Sequence, residues 1–154
     1  MFKKKDKFFM EEALKEAFLA YKEDEVPVGA VIVSSEGEII AKARNQVIKL
    51  NDPTAHAEIL AIRKACQIFG NYRLIGCKMY VTLEPCPMCA YAIVLARLKE
   101  VIFATSDEKT GACGSIYNIL QDKKFNHQVL IKSGLLKEEA SVLLKNFFKQ
   151  KRTK

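Results

Sequence analysis

Two short runs hold the side chains that can do chemistry: His56-Ala57-Glu58 and Pro85-Cys86-Pro87-Met88-Cys89. An imidazole and two thiolates form a borderline-soft donor set that suits zinc. Cys86 and Cys89 stand three apart, so on one helix they share a face and can grip a single ion. A helix N-terminus lowers a thiol's pKa and favours the thiolate that binds metal. Only three protein ligands are on offer. Structural zinc sites usually close with four, whereas catalytic ones keep a position for water. Two thiolates already neutralise the metal's double charge, so a nearby base should help ionise that water. Glu58 lies two residues beyond His56, roughly 200° round a helix. That angle argues against a fourth ligand and for a proton shuttle beside the metal.

These groups need elements to hold them. Residues 6–21 carry apolar side chains at steps of three and four, which predicts a helix. Residues 28–34 and 39–47 read as a β-hairpin closed by Ser35-Glu36-Gly37. A helix is predicted over about 55–69, stopped by Gly70-Asn71. A strand at 78–83 then leads into a helix from Pro85 to about Leu98, proline being tolerated in a first helical turn. Strands at 101–105 and 128–132, an irregular stretch over 106–126 and a closing helix over 137–150 complete the chain. Helices alternating with strands predict an α/β sandwich, a sheet covered by helices on both faces.

The 154 residues argue for one domain, 1–154, large enough to fold without a disulfide. Lys plus Arg number 25 against 18 Asp plus Glu, a net charge of +7 that suits a polyanion, nucleic acid before membrane. The longest apolar stretch, 88–96, is far short of a membrane span of ~20 residues. With no secretory leader and five cysteines, a reducing cytoplasm is expected, the cysteines being thiols or metal ligands. Cys-x-x-Cys opening a helix also describes a thioredoxin-like redox pair, but that reading uses neither His56 nor Glu58. His-x-Glu followed by Pro-Cys-x-x-Cys is the pattern of zinc deaminases acting on nucleobases.

On these motifs the sequence resembles the cytidine/deoxycytidylate deaminase superfamily and, within it, the bacterial branch that makes inosine at the first anticodon position of tRNA. The likeness runs over about 10–152. It includes Glu25-Val26-Pro27-Val28-Gly29-Ala30-Val31, Asn45, Asp52-Pro53-Thr54-Ala55-His56-Ala57-Glu58, Tyr72-Arg73-Leu74 and the strand leading into Cys86. Asp107, Lys109-Thr110-Gly111-Ala112, Gly114-Ser115 and Asn126-His127 continue it, and Cys113, Pro87 and Tyr91 depart from its common form.

The resemblance implies a three-layer α/β/α sandwich with a central five-stranded mixed sheet. It also implies one zinc per subunit on His56, Cys86 and Cys89, with Glu58 as general acid/base. Asn45 is expected to contact the target nucleotide and Asp107 a ribose 2′-hydroxyl, with Lys109 beside it to neutralise a phosphate. Of the adjacent Phe147 and Phe148, one should stack on RNA and one be core, since neighbours on a helix point apart; Phe148 is the expected stacking residue. Lys151 and Arg152, with Lys145, Lys149 and Lys154, form a basic end suited to tRNA, and Lys3, Lys4, Lys5 and Lys7 cluster at the other terminus. A homodimer with RNA touching both subunits is implied. A free-base or nucleotide deaminase acting on guanine, cytosine or deoxycytidylate would share the zinc site, but would gain nothing from the basic closing helix. Cys66 and Cys77 read as small buried apolar residues, Cys113 as exposed near the site, and His127 as structural or a rim contact.

Overall fold

The computed structural model describes residues 1–152, so Lys154 of the basic tail lies outside the described residues. In chain order come α1 (Asp6–Lys22), β1 (Gly29–Val33), β2 (Ile39–Arg44), α2 (Val47–Leu50), α3 (Ala57–Phe69), β3 (Lys78–Leu83), α4 (Pro87–Leu95), β4 (Glu100–Thr105), β5 (Leu130–Ser133) and α5 (Lys137–Arg152). The strands form one mixed sheet in the order β2-β1-β3-β4-β5. β1 pairs antiparallel with β2 and β3, while β3–β4 and β4–β5 are parallel. Parallel neighbours need a crossover, and α4 supplies it between β3 and β4.

Side chains along a strand alternate between its faces, and here both faces are covered. Val31, Val33, Tyr80, Ile102 and Ala104 pack with Phe9, Met10 and Ala13 of α1 and Ala140 of α5. Ala30, Ile32, Met79, Val81, Val101 and Phe103 pack against Ala57, Ala61 and Ala65 of α3 and Ala90, Ile93 and Val94 of α4. The expected three layers around a five-stranded mixed sheet are therefore present. Gly29 sets how closely α1 approaches β1, because a Cβ there would collide with the Ala13 carbonyl and stand 2.6 Å from the Ala17 amide nitrogen. On the same face the buried Tyr80 hydroxyl donates to Asp6 Oδ1 at 2.6 Å, while Asp6 Oδ2 accepts from the Lys3 N–H at 2.6 Å.

Three local expectations are corrected. The strand expected to reach Val47 ends at Arg44, and α2 follows it. That short helix exists because the buried Glu25 carboxylate accepts from the amides of Ile48 (3.1 Å) and Lys49 (2.9 Å), satisfying donors the helix itself cannot. The helix expected to run from Pro85 to Leu98 spans only Pro87–Leu95, because Arg97 takes a left-handed φ of 62° and turns the chain toward β4. Cys113, expected to be exposed, is buried and forms an isolated bridge to Asn118. His127 has the structural role anticipated for it, its Nε2–H donating to the Leu98 carbonyl at 2.7 Å. No helix among the described residues is long and apolar enough to cross a membrane.

Candidate active site

The two chemical motifs meet at the carboxyl end of β3, where the N-termini of α3 and α4 converge. His56 is the N-cap of α3 (φ −73°, ψ 153°) and Cys86 the N-cap of α4 (φ −74°, ψ 172°). Both ligands thus stand on extended backbone just outside a helix, and Cys89 and Glu58 sit in the first turns. This changes the geometry read from spacing. The pair Cys86 and Cys89 grips from a cap and a first turn rather than from one helical face, and the 200° separation of His56 and Glu58 does not apply. Pro87 opens α4, where its missing N–H would have had no helical partner.

The ligand atoms of His56, Cys86 and Cys89 all lie within 4.8 Å of one another. His56 Nδ1 is 3.4 Å from Cys89 Sγ and 3.7 Å from Cys86 Sγ. A tetrahedral zinc with sulfur near 2.3 Å and nitrogen near 2.0–2.1 Å sets an S···N edge of about 3.5 Å. The donor set fits zinc in chemistry and in spacing.

The charges around the set follow from burial and mutual contact. A hydrogen bond from Cys89 holds the Cys86 thiol down at about 4, against the opposing effect of burial, with His56 adding to the lowering. The same sulfur–sulfur contact, then burial, raises Cys89. His56 is raised chiefly by its contact with Cys86. Glu58 is 4% exposed, and burial pushes its carboxyl up to about 7, opposed by backbone hydrogen bonding and by His56. A carboxyl near neutrality can both accept and release a proton.

A cavity of about 310 Å³ opens onto His56, Glu58 and Cys86. Asn45, 8% exposed, lines it and commits its Oδ1 to the Ala57 N–H at 2.7 Å, which caps α3 from outside. Asp107 and Thr110 form another part of the wall. The Asp107 carboxylate accepts from the amides of Lys109 (3.0 Å) and Thr110 (3.2 Å) and from the Thr110 hydroxyl (2.9 Å), so it shapes its own turn as well as facing the cavity. Lys109 is exposed and stands outside the lining.

Of the two aromatic residues on α5, Phe147 is 6% exposed and lines the cavity, whereas Phe148 is 46% exposed and does not. Lys151 also lines it, tied to Asp24 at 2.7 Å, and Arg152 lies exposed at the helix end. Lys3, Lys4 and Lys5 border a separate cleft with Lys78, at the far end of β3. Glu25, Glu84 and Phe147 are lining residues that spacing does not single out. Glu84 adjoins the Pro85-Cys86 motif, and that position is its one signal in the sequence.

Comparison with known proteins agrees with this site. Residues 3–105 match the cytidine and deoxycytidylate deaminase zinc-binding region. The chain is 53% identical over 145 residues to the tRNA-specific adenosine deaminase of Aquifex aeolicus, covering 94% of this chain and 95% of that protein. It is 48% identical over 149 residues to the tRNA-specific adenosine deaminase of Bacillus subtilis, covering 97% and 92% respectively. A solved structure of a tRNA:A34 deaminase, from work on A-to-I editing at the wobble position, superposes with a TM-score of 0.86 at 45% identity, covering 89% of this chain and 99% of that one. The chain belongs to the cytidine and deoxycytidylate deaminase family.

Proposed function

We propose that this chain is a zinc-dependent hydrolase that converts adenosine to inosine at the wobble position of tRNA, releasing ammonia. The observation that carries the chemistry is the buried Glu58 carboxyl in the first turn of α3, beside a three-ligand zinc set at the base of an open cavity. Similarity to tRNA-specific adenosine deaminases over nearly the whole chain supports the substrate.

His56, Cys86 and Cys89 hold the metal. Bound there, zinc supplies a Lewis acid that makes water a nucleophile at neutral pH. Glu58 takes a proton from the water that adds to C6 of adenine and delivers it to the departing amino nitrogen. The Asn45 NH2 donates to the nucleotide, an amide being able to recognise ring nitrogen or ribose oxygen. Helix N-termini favour negative charge, and those of α3 and α4 converge where it develops on the purine. An anticodon adenosine is already unpaired, so extruding it costs less than opening a duplex.

Asp107 and Lys109 on the loop after β4, and Phe148, Lys151 and Arg152 on α5, form the RNA-facing rim. Two subunits associate through Met88, Tyr91 and Leu95, apolar side chains of α4 left exposed in the single chain. A tRNA substrate and thiol ligands that must stay reduced both favour a cytoplasmic location. Incubation with an adenosine-bearing anticodon stem-loop, followed by nucleoside mass spectrometry, tests the reading. Inosine formed far faster than from free adenosine is expected. Equal turnover of both, or deamination of free guanine, cytosine or deoxycytidylate instead, would replace the substrate assignment.

A further inference from the structure

Glu84 is a buried carboxylate with no part in the chemistry above. It follows β3 directly, two residues before Cys86, and is 2% exposed. Among the described residues its partners are hydrogen-bond donors from one loop, not lysine or arginine. Oε1 accepts from the Asp107 N–H at 3.0 Å and from the Ser115 hydroxyl; Oε2 accepts from the amides of Cys113 (2.9 Å) and Ser115 (3.1 Å). One anion therefore gathers both ends of the 107–115 segment.

The middle of that segment closes over the same group. A Cβ on Gly111 would stand 2.5 Å from Glu84 Oε1 and from the Asp107 carbonyl oxygen, so only glycine lets the loop lie this close. The Ala112 N–H donates to the Pro85 carbonyl at 2.9 Å, a second strap to the turn that carries Cys86. Burying a carboxylate adds little net stability even when its oxygens are satisfied. What it adds is directional: donors from distant parts of a loop must meet at one place.

We propose that Glu84 is the positioning residue that locks the 107–115 loop against the zinc-ligand turn and so sets how tightly the site engages RNA. The inference rests on the RNA reading above, because the loop carries Asp107 and Thr110 in the cavity wall. A glutamine at this position would turn an NH2 toward N–H donors and repel part of the loop while keeping size and burial.

The test is Glu84→Gln, with Gly111→Ala as a second variant that disturbs the packing from the loop side and leaves the carboxylate in place. For Glu84→Gln, zinc content should stay at one per chain. KM for the anticodon stem-loop should rise at least tenfold, with kcat changed less than about threefold. Amide hydrogen exchange at Asp107, Cys113 and Ser115 should lose protection. Gly111→Ala should show the same KM rise, and the double variant should be no worse than the poorer single one, since both break the same loop–carboxylate junction.

Zinc lost along with activity, or kcat lowered at unchanged KM, would show that Glu84 serves the metal turn instead and would overturn the proposal. Should Glu84→Gln fail to fold, an unaltered KM in Gly111→Ala would also overturn it. Should the unaltered protein fail to deaminate the stem-loop, the RNA reading falls. Amide exchange then decides the loop lock by itself, retained protection in Glu84→Gln refuting it.

Discussion

Replacing Asn45 separates two jobs that one side chain performs. Its Oδ1 accepts from the Ala57 N–H at 2.7 Å, and Ala57 is fully buried at the start of α3. In Asn45→Ala that donor loses its protein partner. An unsatisfied buried donor costs about 1–3 kcal/mol, and loss of a side-chain hydrogen bond that caps a helix start about 0.5–2 kcal/mol. The two ranges describe the same hydrogen bond, so about 2 kcal/mol is expected. For a chain of 154 residues, a melting temperature moves roughly 2–4 °C per kcal/mol, so Asn45→Ala should melt roughly 4–8 °C lower. Because the first turn of α3 carries Glu58 and its N-cap is His56, activity should fall further than stability alone explains. Asn45→Asp keeps an acceptor for Ala57 but removes the NH2. It should recover most of the melting temperature while remaining impaired on the stem-loop. Calorimetry and initial rates on the three proteins are the assays. An unshifted melting temperature in Asn45→Ala would refute the cap, and full activity in Asn45→Asp would refute the donor role.

Tyr80→Phe removes a buried hydrogen bond to a carboxylate, which should cost about 1.5–3 kcal/mol at pH 8, read by chemical denaturation. Burial and the hydrogen bond to Asp6 raise the Tyr80 hydroxyl above its ordinary value. Its contribution is thus fully present below an unfolded pKa of about 10 and fades above it, so the penalty of the substitution should shrink in alkaline buffer. A penalty that does not vary with pH would contradict this. Lys151→Ala and Arg152→Ala should each flatten the dependence of log affinity on log salt by about 0.7 for every phosphate left without its cation, measured by stem-loop titration. Asp24→Asn, which frees Lys151 from its 2.7 Å partner, should tighten binding at low salt. If the proposed pairing through α4 holds, Leu95→Glu should shift sedimentation from dimer to monomer, and a species unchanged by the substitution would contradict that pairing.

The candidate zinc ligands and Glu58 are legible because chemistry and short spacing coincide in two motifs, and the sheet because its strands are apolar runs set apart from the helical ones. The residues that spacing hides act across long sequence separations. Glu25 builds α2 from 23 and 24 residues away, and Glu84 holds a loop 23 to 31 residues further on. Neither partnership leaves a periodic or spaced signal. The end of α4 is hidden for a related reason: the left-handed residue is Arg97, where a glycine would have announced the stop. Cys113 reads as exposed because glycines and polar residues surround it in sequence, but its N–H donates to Glu84 and the chain folds over it. The choice between Phe147 and Phe148 depends on how α5 is rotated against the cavity, and α5 has adjacent apolar residues at Val142, Leu143 and Leu144 as well as at Phe147 and Phe148, which leave its inner face ambiguous from sequence alone.

Zinc content and deamination rate measured on the same preparations of the unaltered protein and of Glu58→Gln bear most directly on the mechanism. One zinc per chain is expected in both proteins, with the rate on the anticodon stem-loop reduced by about 10²–10⁴-fold in the variant, the range for a missing general acid/base. An active unaltered protein without zinc, a variant that no longer holds the metal, or a variant rate within tenfold of the original would contradict a three-ligand metal served by a separate proton carrier.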